Sequence, residues 1–312
     1  MSNVAAGTTW NLPQYAGELF TASPTETPFL SMIGGLSDGG LQTDNFEFPT
    51  DQQYTHETAG QPAITETASL TAPTAISYVR AQSKNVAQIF MEKVSISYER
   101  QSNQGRLSGI NTAGVEGVPL TEKDFQIAAA LEKIARDMEY TSFQGTYQIA
   151  TSAAVANKTR GIIAAAGTTL AAAGARLSKS LMDQILQAAW DAGARFVNPV
   201  IWVGGFQKTQ ISDIYGYAPT DRNIGGVNVK QIETDFGTFG VELSKFVPAG
   251  TLTIADMAFI KPVFQPVPDK GNFFYEELSK AGASEDGQIY GKFGLAHGPG
   301  FMHATITGLA TS

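Results

Sequence analysis

Apolar residues recur with a helical period over one long stretch near the middle of the chain. Four residues carry this period: Ile127, Leu131, Ile134 and Met138. Their spacing places them on one face of an α-helix, where they are candidate core residues. Thr121, with Asp124 three residues later, is a suitable N-cap. We therefore predict an amphipathic helix over residues 121–143.

Two further helices and several short strands follow. The first helix begins at Ser178 or Ser180 and ends before Gly193, a residue type that suits the end of a helix. The second begins after Gly204-Gly205. Short apolar segments predict strands at 199–203, 227–229, 239–243, 252–254 and 304–307, and a pair at 273–279 and 288–295. The Ala-rich stretch 164–175 is either a tolerant loop or a close-packed helix. The predicted class is α+β.

Before the long helix the pattern is mostly polar. Residues 45–48 and 84–98 alternate as strands, which predicts a two-stranded ribbon with the Thr-rich segment between them at its tip. The remainder of residues 1–79 lacks a sustained period, apart from a short candidate helix at 15–20. Long segments of this kind are uncommon inside a compact domain. We expect an arm that lies on another subunit, and deletion of residues 1–40 is expected to leave a folded core.

Charge is distributed unevenly along the 312 residues. The chain has 29 acidic and 21 basic residues, a formal net charge of −8. The first basic residue is Arg80, and eight acids precede it: Glu18, Glu26, Asp38, Asp44, Glu47, Asp51, Glu57 and Glu66. The remaining 21 acids equal the 21 bases, so the net charge belongs to the first quarter of the chain. With only 16% charged residues, the surface is poorly suited to a solitary monomer.

Composition excludes much redox and metal chemistry. There are no cysteines and only three histidines, so disulfides, thiolate zinc sites and cysteine nucleophiles are absent. We predict no cofactor and no metal site. No apolar run reaches the length of a membrane span, and no basic signal region follows Met1. The expected location is a cytosol, without membrane attachment.

Individual motifs do not assemble an active site. Gly35-Leu-Ser37-Asp-Gly39 matches a hydrolase string, but its polar, glycine-rich surroundings favour a plain turn. The Gly298-Pro-Gly300 break separates His297 from His303, which favours histidines with ordinary structural or solvated roles. Adjacent Glu276 and Glu277 would point to opposite faces of a strand. We therefore predict no catalytic residue.

A basic stretch between residues 158 and 208 leaves two interpretations open. It carries six bases and two acids: Lys158, Arg160, Arg176, Lys179, Arg195 and Lys208 against Asp183 and Asp191. Loose contact with DNA phosphates is one interpretation, and sequence-specific reading is not indicated. The other is a solvated face or a landing site for the acidic arm, which we favour.

The order of these elements resembles the Hong Kong 97-type major capsid protein of tailed bacteriophages. Six strings carry the resemblance: Thr27-Pro-Phe-Leu30, Ala135-Arg-Asp-Met-Glu-Tyr140, Thr159-Arg-Gly161, Val203-Gly-Gly-Phe-Gln-Lys208, Glu233-Thr-Asp-Phe-Gly237 and Leu278-Ser-Lys-Ala-Gly282. The Ala-rich stretch and the apolar ending Gly300-Phe-Met-His-Ala304 depart from the family pattern.

The resemblance implies a fold of four parts. These are an N-terminal arm (1–44), an extended β-hairpin loop, the E-loop (45–98), a peripheral domain with the long spine helix (99–158 and 255–312), and an axial domain (159–254). It further implies hexamers and pentamers of an icosahedral shell that encloses double-stranded DNA. Portal, scaffolding and decoration proteins are the expected partners, and packaged DNA is contacted non-specifically. The protein would be assembled in the host cytoplasm and reside in the virion head.

Charge suggests where neighbouring subunits meet. Candidate inter-subunit electrostatic contacts are Glu47, Asp51, Glu57, Glu66, Arg80, Lys84, Lys158 and Arg160. Three alternatives to a phage capsid remain: an encapsulin-like compartment shell, a phage tail or fibre module, and a hydrolase that uses Ser37.

Overall fold

The computed structural model describes residues 26–34, 40–102, 122–216, 230–280 and 282–312. Within these ranges the helices are α1 (Pro28–Met32), α2 (Glu66–Ser69), α3 (Tyr98–Ser102), α4 (Glu122–Gln144), α5 (Ile162–Ala165), α6 (Lys179–Asp191) and α7 (Gly205–Tyr215). The predictions for Thr121, for a helix at 15–20 and for a strand at 227–229 lie outside the described residues.

The strands of the same ranges form three sheets. They are β1 (Leu41–Gln42), β2 (Glu47–Gln53), β3 (Ala81–Val86), β4 (Gln88–Ser97), β5 (Thr168–Ala171), β6 (Pro199–Val203), β7 (Gln231–Thr234), β8 (Gly237–Leu243), β9 (Leu252–Asp256), β10 (Lys261–Phe264), β11 (Phe273–Glu277), β12 (Ser284–Ala296) and β13 (Ala304–Thr307). A short 3₁₀ turn (Gly300–Met302) precedes β13. The predicted α+β class is confirmed.

The five-stranded sheet is organised around β12, which is 13 residues long. Strand β4 pairs with it antiparallel along residues 284–293, while β11 and β10 pair with its other edge, one after the other. Strand β1 then joins β10 in parallel. The predicted pairing of residues 273–279 with 288–295 is confirmed, although β12 begins at Ser284, earlier than the sequence indicated.

The six-stranded sheet has the order β5-β13-β9-β6-β8-β7. Alternate residues of β6 face opposite sides, so Trp202 joins the core shared with α4, whereas Ile201 and Val203 join the core beneath α6 and α7. Strand β13 pairs with β5 and β9. Residues 304–307 therefore belong to this sheet, and the predicted division at residue 254 does not separate the two sheets.

Helix α4 matches the long predicted helix within one residue at each end. Ile134 and Met138 are buried, and Ile127 packs against the same core while partly exposed. Leu131 differs from the prediction, because 38% of its surface is exposed. At 100° per residue it lies about 60° around the helix from Ile134, at the margin of the apolar face.

Local signals account for the remaining helices. Ser178, rather than Ser180, caps α6 by accepting a hydrogen bond from the Leu181 N–H at 3.3 Å. Gly193 follows the helix with a φ of 97°, as expected for a left-handed terminating residue. The Ala-rich stretch is neither a plain loop nor one helix, because it contains the end of α5 and strand β5. Thr168 and its neighbours pair with β13 through backbone bonds that composition does not reveal.

Candidate assembly surfaces

The extended ribbon is the most exposed part of the described chain. Strands β2 and β3 pair antiparallel from Glu47 opposite Val86 to Gln53 opposite Ala81. A ribbon is therefore present, but its second strand is β3 rather than residues 84–98, because β4 pairs with β12 in the five-stranded sheet. Beyond them every residue from 54 to 80 is exposed. Leu70 and Val79 are 84% and 82% exposed. Large apolar groups held in water in this number mark a surface that contacts another molecule.

An aromatic cluster closes the base of this loop. The ring of His56 lies 5.0 Å from that of Tyr54 and 4.9 Å from that of Tyr78, all in edge-on geometry. Edge-to-face contacts of this kind are worth roughly 1 kcal/mol each. The two arms of the loop are therefore held together where the β-ladder ends.

Part of the predicted inter-subunit charge is paired within the chain. Lys84 Nζ lies 3.4 Å from a Glu47 carboxylate oxygen, because the register places the two residues diagonally across the ribbon. This ion pair lies within one chain, and the contact of Lys84 and Glu47 with a neighbour stays a prediction. Glu57, Glu66 and Arg80 are exposed on the loop, whereas Asp51 is half-buried.

The basic stretch does not form one solvated face. Lys158 is exposed and the Arg160 guanidinium lies 4.9 Å from the centre of the Tyr147 ring. Lys208, in contrast, is only 9% exposed. Burial lowers its pKa, and the negative charge of Glu242 offsets part of that effect.

A groove runs between β4 and α4. Its volume is about 360 Å³, and its walls include Ile89, Met91, Ile134 and Tyr140. Ile89 and Met91 are 55% and 60% exposed, because they lie on the outward face of a strand whose inward residues are buried. An ion pair between Lys133 and Glu92 joins the two elements across it. The groove is an open surface on which the exposed side chains of Ile89 and Met91 lie beside polar residues such as Glu92 and Asp137.

The start of the described chain is anchored in the core rather than lying on its surface. Phe29 is fully buried, with ring centroids 4.9 Å from Phe143 and 5.4 Å from Trp202. The backbone N–H groups of Phe29 and Leu30 donate to the two carboxylate oxygens of Glu139, at 3.0 and 2.7 Å. These contacts argue against the expectation that residues 1–40 can be removed without loss of the folded core.

Glu139 is itself fully buried on α4. Burial raises its pKa to about 7, although the bonds from Leu30 and Phe29 favour the charged form. A buried carboxylate that accepts only backbone N–H groups holds α1 in place without a cationic partner among these contacts. This contact ties the arm to the long helix.

Asn85 fastens the ribbon to the body of the subunit. Its side chain is fully buried, and its Nδ2 donates to the carbonyls of Leu295 and Arg160 at 2.7 and 3.1 Å. Its Oδ1 accepts from the N–H groups of Arg160 and Val86. Because both polar atoms of this buried amide have hydrogen-bond partners, the side chain fixes the direction in which the ribbon leaves the sheet.

The histidines near the C-terminal end have structural roles, as the sequence indicated. His303 is fully buried, its Nδ1 accepts from the Asp256 N–H at 3.1 Å, and its Nε2 lies 2.6 Å from the His297 carbonyl. Burial lowers its pKa to about 4.

Within the described ranges no group of side chains could hold a metal ion, and no helix there could span a membrane. Ser37 lies outside the described residues.

These exposed surfaces, with a buried anchor and no assembled chemistry among the described residues, suit a subunit that works by contact. The family model for the SU10 major capsid protein matches residues 2–310. The chain belongs to this family. It is therefore a structural capsid protein of a phage head and not an enzyme.

Solved structures agree on the fold of this capsid protein, which is of the Hong Kong 97 type. The cyanophage A-1(L) capsid matches with a TM-score of 0.64 at 12% identity, covering 95% of this chain and 96% of that one. The capsid of a native GTA particle matches with 0.59 at 12%, covering 99% of both. The SrpI encapsulin of Synechococcus elongatus PCC 7942 matches with 0.56 at 10%, covering 97% and 93%. No curated protein sequence matches the chain.

Sequence reasoning missed the two features that organise the capsid protein's surfaces. Glu139 lies within a string quoted for its family resemblance, but its partners are 109 and 110 residues away and are backbone groups. The groove forms because β4 lies beside α4. The alternation of residues in β4 predicts that one face of the strand is exposed, but not that α4 lies next to it. Neither feature has a signal in local spacing.

Proposed function

We propose that this capsid protein assembles into hexamers and pentamers of an icosahedral shell enclosing the double-stranded DNA of a tailed phage. The family match over residues 2–310 is the observation that carries the proposal. Assembly in the host cytoplasm, with portal, scaffolding and decoration proteins as partners, is part of it. Electron microscopy of the purified full-length chain tests it: closed shells are expected, and tubes or stable monomers at high concentration would contradict it.

In this proposal the two sheets serve different parts of the shell. The five-stranded sheet and α4 form the peripheral domain, and the six-stranded sheet forms the axial domain that meets its copies at the capsomer centre. Residues 1–44 contain the arm and 45–98 the extended loop, while β1 and β4 within these ranges contribute strands to the peripheral sheet. Two clusters of buried residues support this division: one contains α4 and the five-stranded sheet, and the other lies between the six-stranded sheet and helices α6 and α7. Trp202 of β6 belongs to the first cluster and joins the two parts.

We further propose that the extended loop of one subunit lies in the groove of the next. Residues 54–80 bury no side chain within their own chain, and the groove presents Ile89 and Met91 to solvent. Within one subunit the apolar side chains of the loop and of the groove are exposed to solvent. In an assembly the loop of one subunit and the groove of the next can cover each other. Repetition around a ring then makes many weak contacts act together.

Replacing Ile89 and Met91 together by aspartate is expected to prevent shell formation without unfolding the subunit. Both side chains are more than half exposed, so the substitution changes the free energy of unfolding by about 0.5 kcal/mol or less. Sedimentation measures particle formation and thermal unfolding measures stability. Ala153→Asp, at another exposed position, is the matched control. Shells of normal size from the double variant would contradict docking in the groove.

Salt is expected to weaken assembly. Glu57 and Glu66 are exposed acids on a loop with no base before Arg80, and at about 1 M salt charges interact over only ~3 Å. The proposed landing site is the basic region around Lys158 and Arg160. Light scattering of the full chain across a salt series measures the effect, and equal assembly rates from low to molar salt would remove this electrostatic contribution.

An encapsulin-like shell is the second candidate, because the SrpI encapsulin shares the fold over nearly the whole chain. The two candidates differ in what the shell contains. Particles purified from the phage's host are expected to hold nuclease-protected DNA. Protein cargo without DNA would favour the compartment instead.

A further inference from the structure

One feature that the proposed function leaves unexplained is a cavity at one end of the six-stranded sheet. Its volume is about 530 Å³, within the usual range of ligand sites. It lies where β6 and β8, which pair in parallel, both end and where α7 begins. Its walls include Glu26 and Pro28 from the start of the described chain. This crevice beyond the carboxyl ends of parallel strands is a common place for binding.

Two glycines keep this cavity open. Gly204 has φ −78° and ψ 170°, a conformation that any residue adopts, and a Cβ added there or at Gly205 would meet no atom within 4 Å. The packing of the described chain leaves room for a side chain at both positions, and a larger residue at either would reach into the cavity. Glycine at position 204 also suits the N-cap of α7.

The floor of the cavity favours an occupant with both a negative charge and an N–H donor. Helix α7 begins at the cavity with no side-chain cap, so its first N–H groups point outward. The positive charge of Lys245 on the wall is offset by the negative charge of Glu26, so the helix terminus supplies the remaining positive potential. Gln207 is only 2% exposed, and while its Nε2 donates to the Ala310 carbonyl, its Oε1 has no partner among the described residues.

Apolar groups, including Phe206, Leu243 and Val247, form most of the rest of the lining, which also contains Ser244 and Thr311. A free ion would satisfy only the helix terminus and Lys245. A peptide segment with a carboxylate beside apolar side chains would satisfy the helix terminus, the amide oxygen of Gln207 and the apolar wall together. One such segment is close by along the chain.

We propose that residues 18–20 of the N-terminal arm dock in this cavity of their own subunit. Glu18 is the only charged side chain among residues 1–25, and Leu19 and Phe20 follow it directly. Glu18 is eight residues from Glu26 on the cavity wall, so the chain between them spans at most ~28 Å. A short tether gives a high effective concentration, which favours the chain's own arm over that of a second copy.

Engineered cysteines test this docking, because the natural sequence contains none. In the full-length chain, Thr21→Cys is combined with Ala249→Cys, which lines the cavity. Mild oxidation with diamide in dilute solution is expected to form a disulfide within one chain at least about tenfold faster than in a control pair, Thr21→Cys with exposed Ala153→Cys. Peptide mass spectrometry locates the bond, and a non-reducing gel separates bonds within a chain from bonds between chains.

Two further substitutions in the same cysteine background sharpen the result. Glu18→Lys reverses the charge of the proposed anchor and is expected to slow disulfide formation about tenfold. Gly204→Leu fills the cavity and is expected to do the same, whereas Gly282→Leu, at another position where a Cβ meets no atom, leaves the rate unchanged. Equal rates in the two cysteine pairs, a bond between different chains, or no effect of Glu18→Lys and Gly204→Leu would overturn the proposal. All readouts use unassembled subunits, so they are independent of whether shells form.

Discussion

Replacing Glu139 by alanine is expected to lower the free energy of unfolding by about 3 kcal/mol. The substitution leaves the buried N–H groups of Phe29 and Leu30 without an acceptor, and each unsatisfied buried donor costs roughly 1–3 kcal/mol. Loss of a desolvated carboxylate offsets part of this cost. Chemical denaturation of the unassembled subunit measures the change. A variant as stable as the natural chain would show that α1 is held by its apolar side chains alone.

The same contact predicts how stability responds to pH. In the folded subunit the pKa of Glu139 is raised to about 7 from an ordinary value of 4.5, so the folded state binds this proton more tightly. The stabilisation is complete below about pH 4.5 and is lost as the pH rises through about 7. The full difference amounts to ~3 kcal/mol.

Glu139→Gln is the matched variant for this pH dependence. Its amide does not titrate, and its single oxygen still accepts one of the two N–H bonds. We expect its unfolding free energy to vary less between about pH 4.5 and about pH 7 than that of the natural chain, whose other titrating groups, including buried His303, remain in both proteins. Parallel pH curves for the two proteins would contradict the role given to Glu139.

Shortening the extended loop is expected to abolish shells while leaving a folded subunit. Residues 57–77 would be replaced by a short Gly-Ser linker, which can span the gap because His56 and Tyr78 have ring centroids 4.9 Å apart. Every deleted residue is exposed, so the subunit loses no core contact. Electron microscopy should show no closed particles, and thermal unfolding should be nearly unchanged.

A charge variant separates the shape of this loop from its electrostatics. Glu57→Gln with Glu66→Gln keeps the length and apolar groups of the loop and removes two exposed acids. We expect it to form shells with a weaker response to salt. Closed shells from the shortened chain would instead show that the loop is dispensable for assembly.

Local pattern predicted the elements that depend on neighbouring residues. The spacing from Ile127 to Met138 located α4, the Ser178 cap located α6, and strand alternation located β4. The one apolar position that differs, Leu131, lies at the edge of the apolar face of the helix. A periodic pattern of residues does not show how far the neighbouring elements cover that face. The structure, not the period, determines the extent of that cover.

Long-range contacts escaped the same reasoning. The pairing of β13 with β5 joins residues more than a hundred positions apart, and alternation in either strand is compatible with several partners. The Glu139 anchor uses backbone donors, which every residue except proline has, so no side-chain spacing marks it. The cavity beside Gly204 likewise depends on how separate segments meet. The sequence thus indicates which residues form the candidate surfaces, but not which other segments of the chain lie beside them.

The position of β12 and β13 along the chain has a consequence for synthesis. Strand β12 is the centre of the five-stranded sheet, and β13 lies between β5 and β9 in the six-stranded sheet. Both strands come after residue 283. Neither sheet can therefore close until residues 284–307 have left the ribosome, and long-range pairing of this kind is slow to form. A nascent subunit that has not yet released these residues thus lacks the completed sheets on which its assembly surfaces depend.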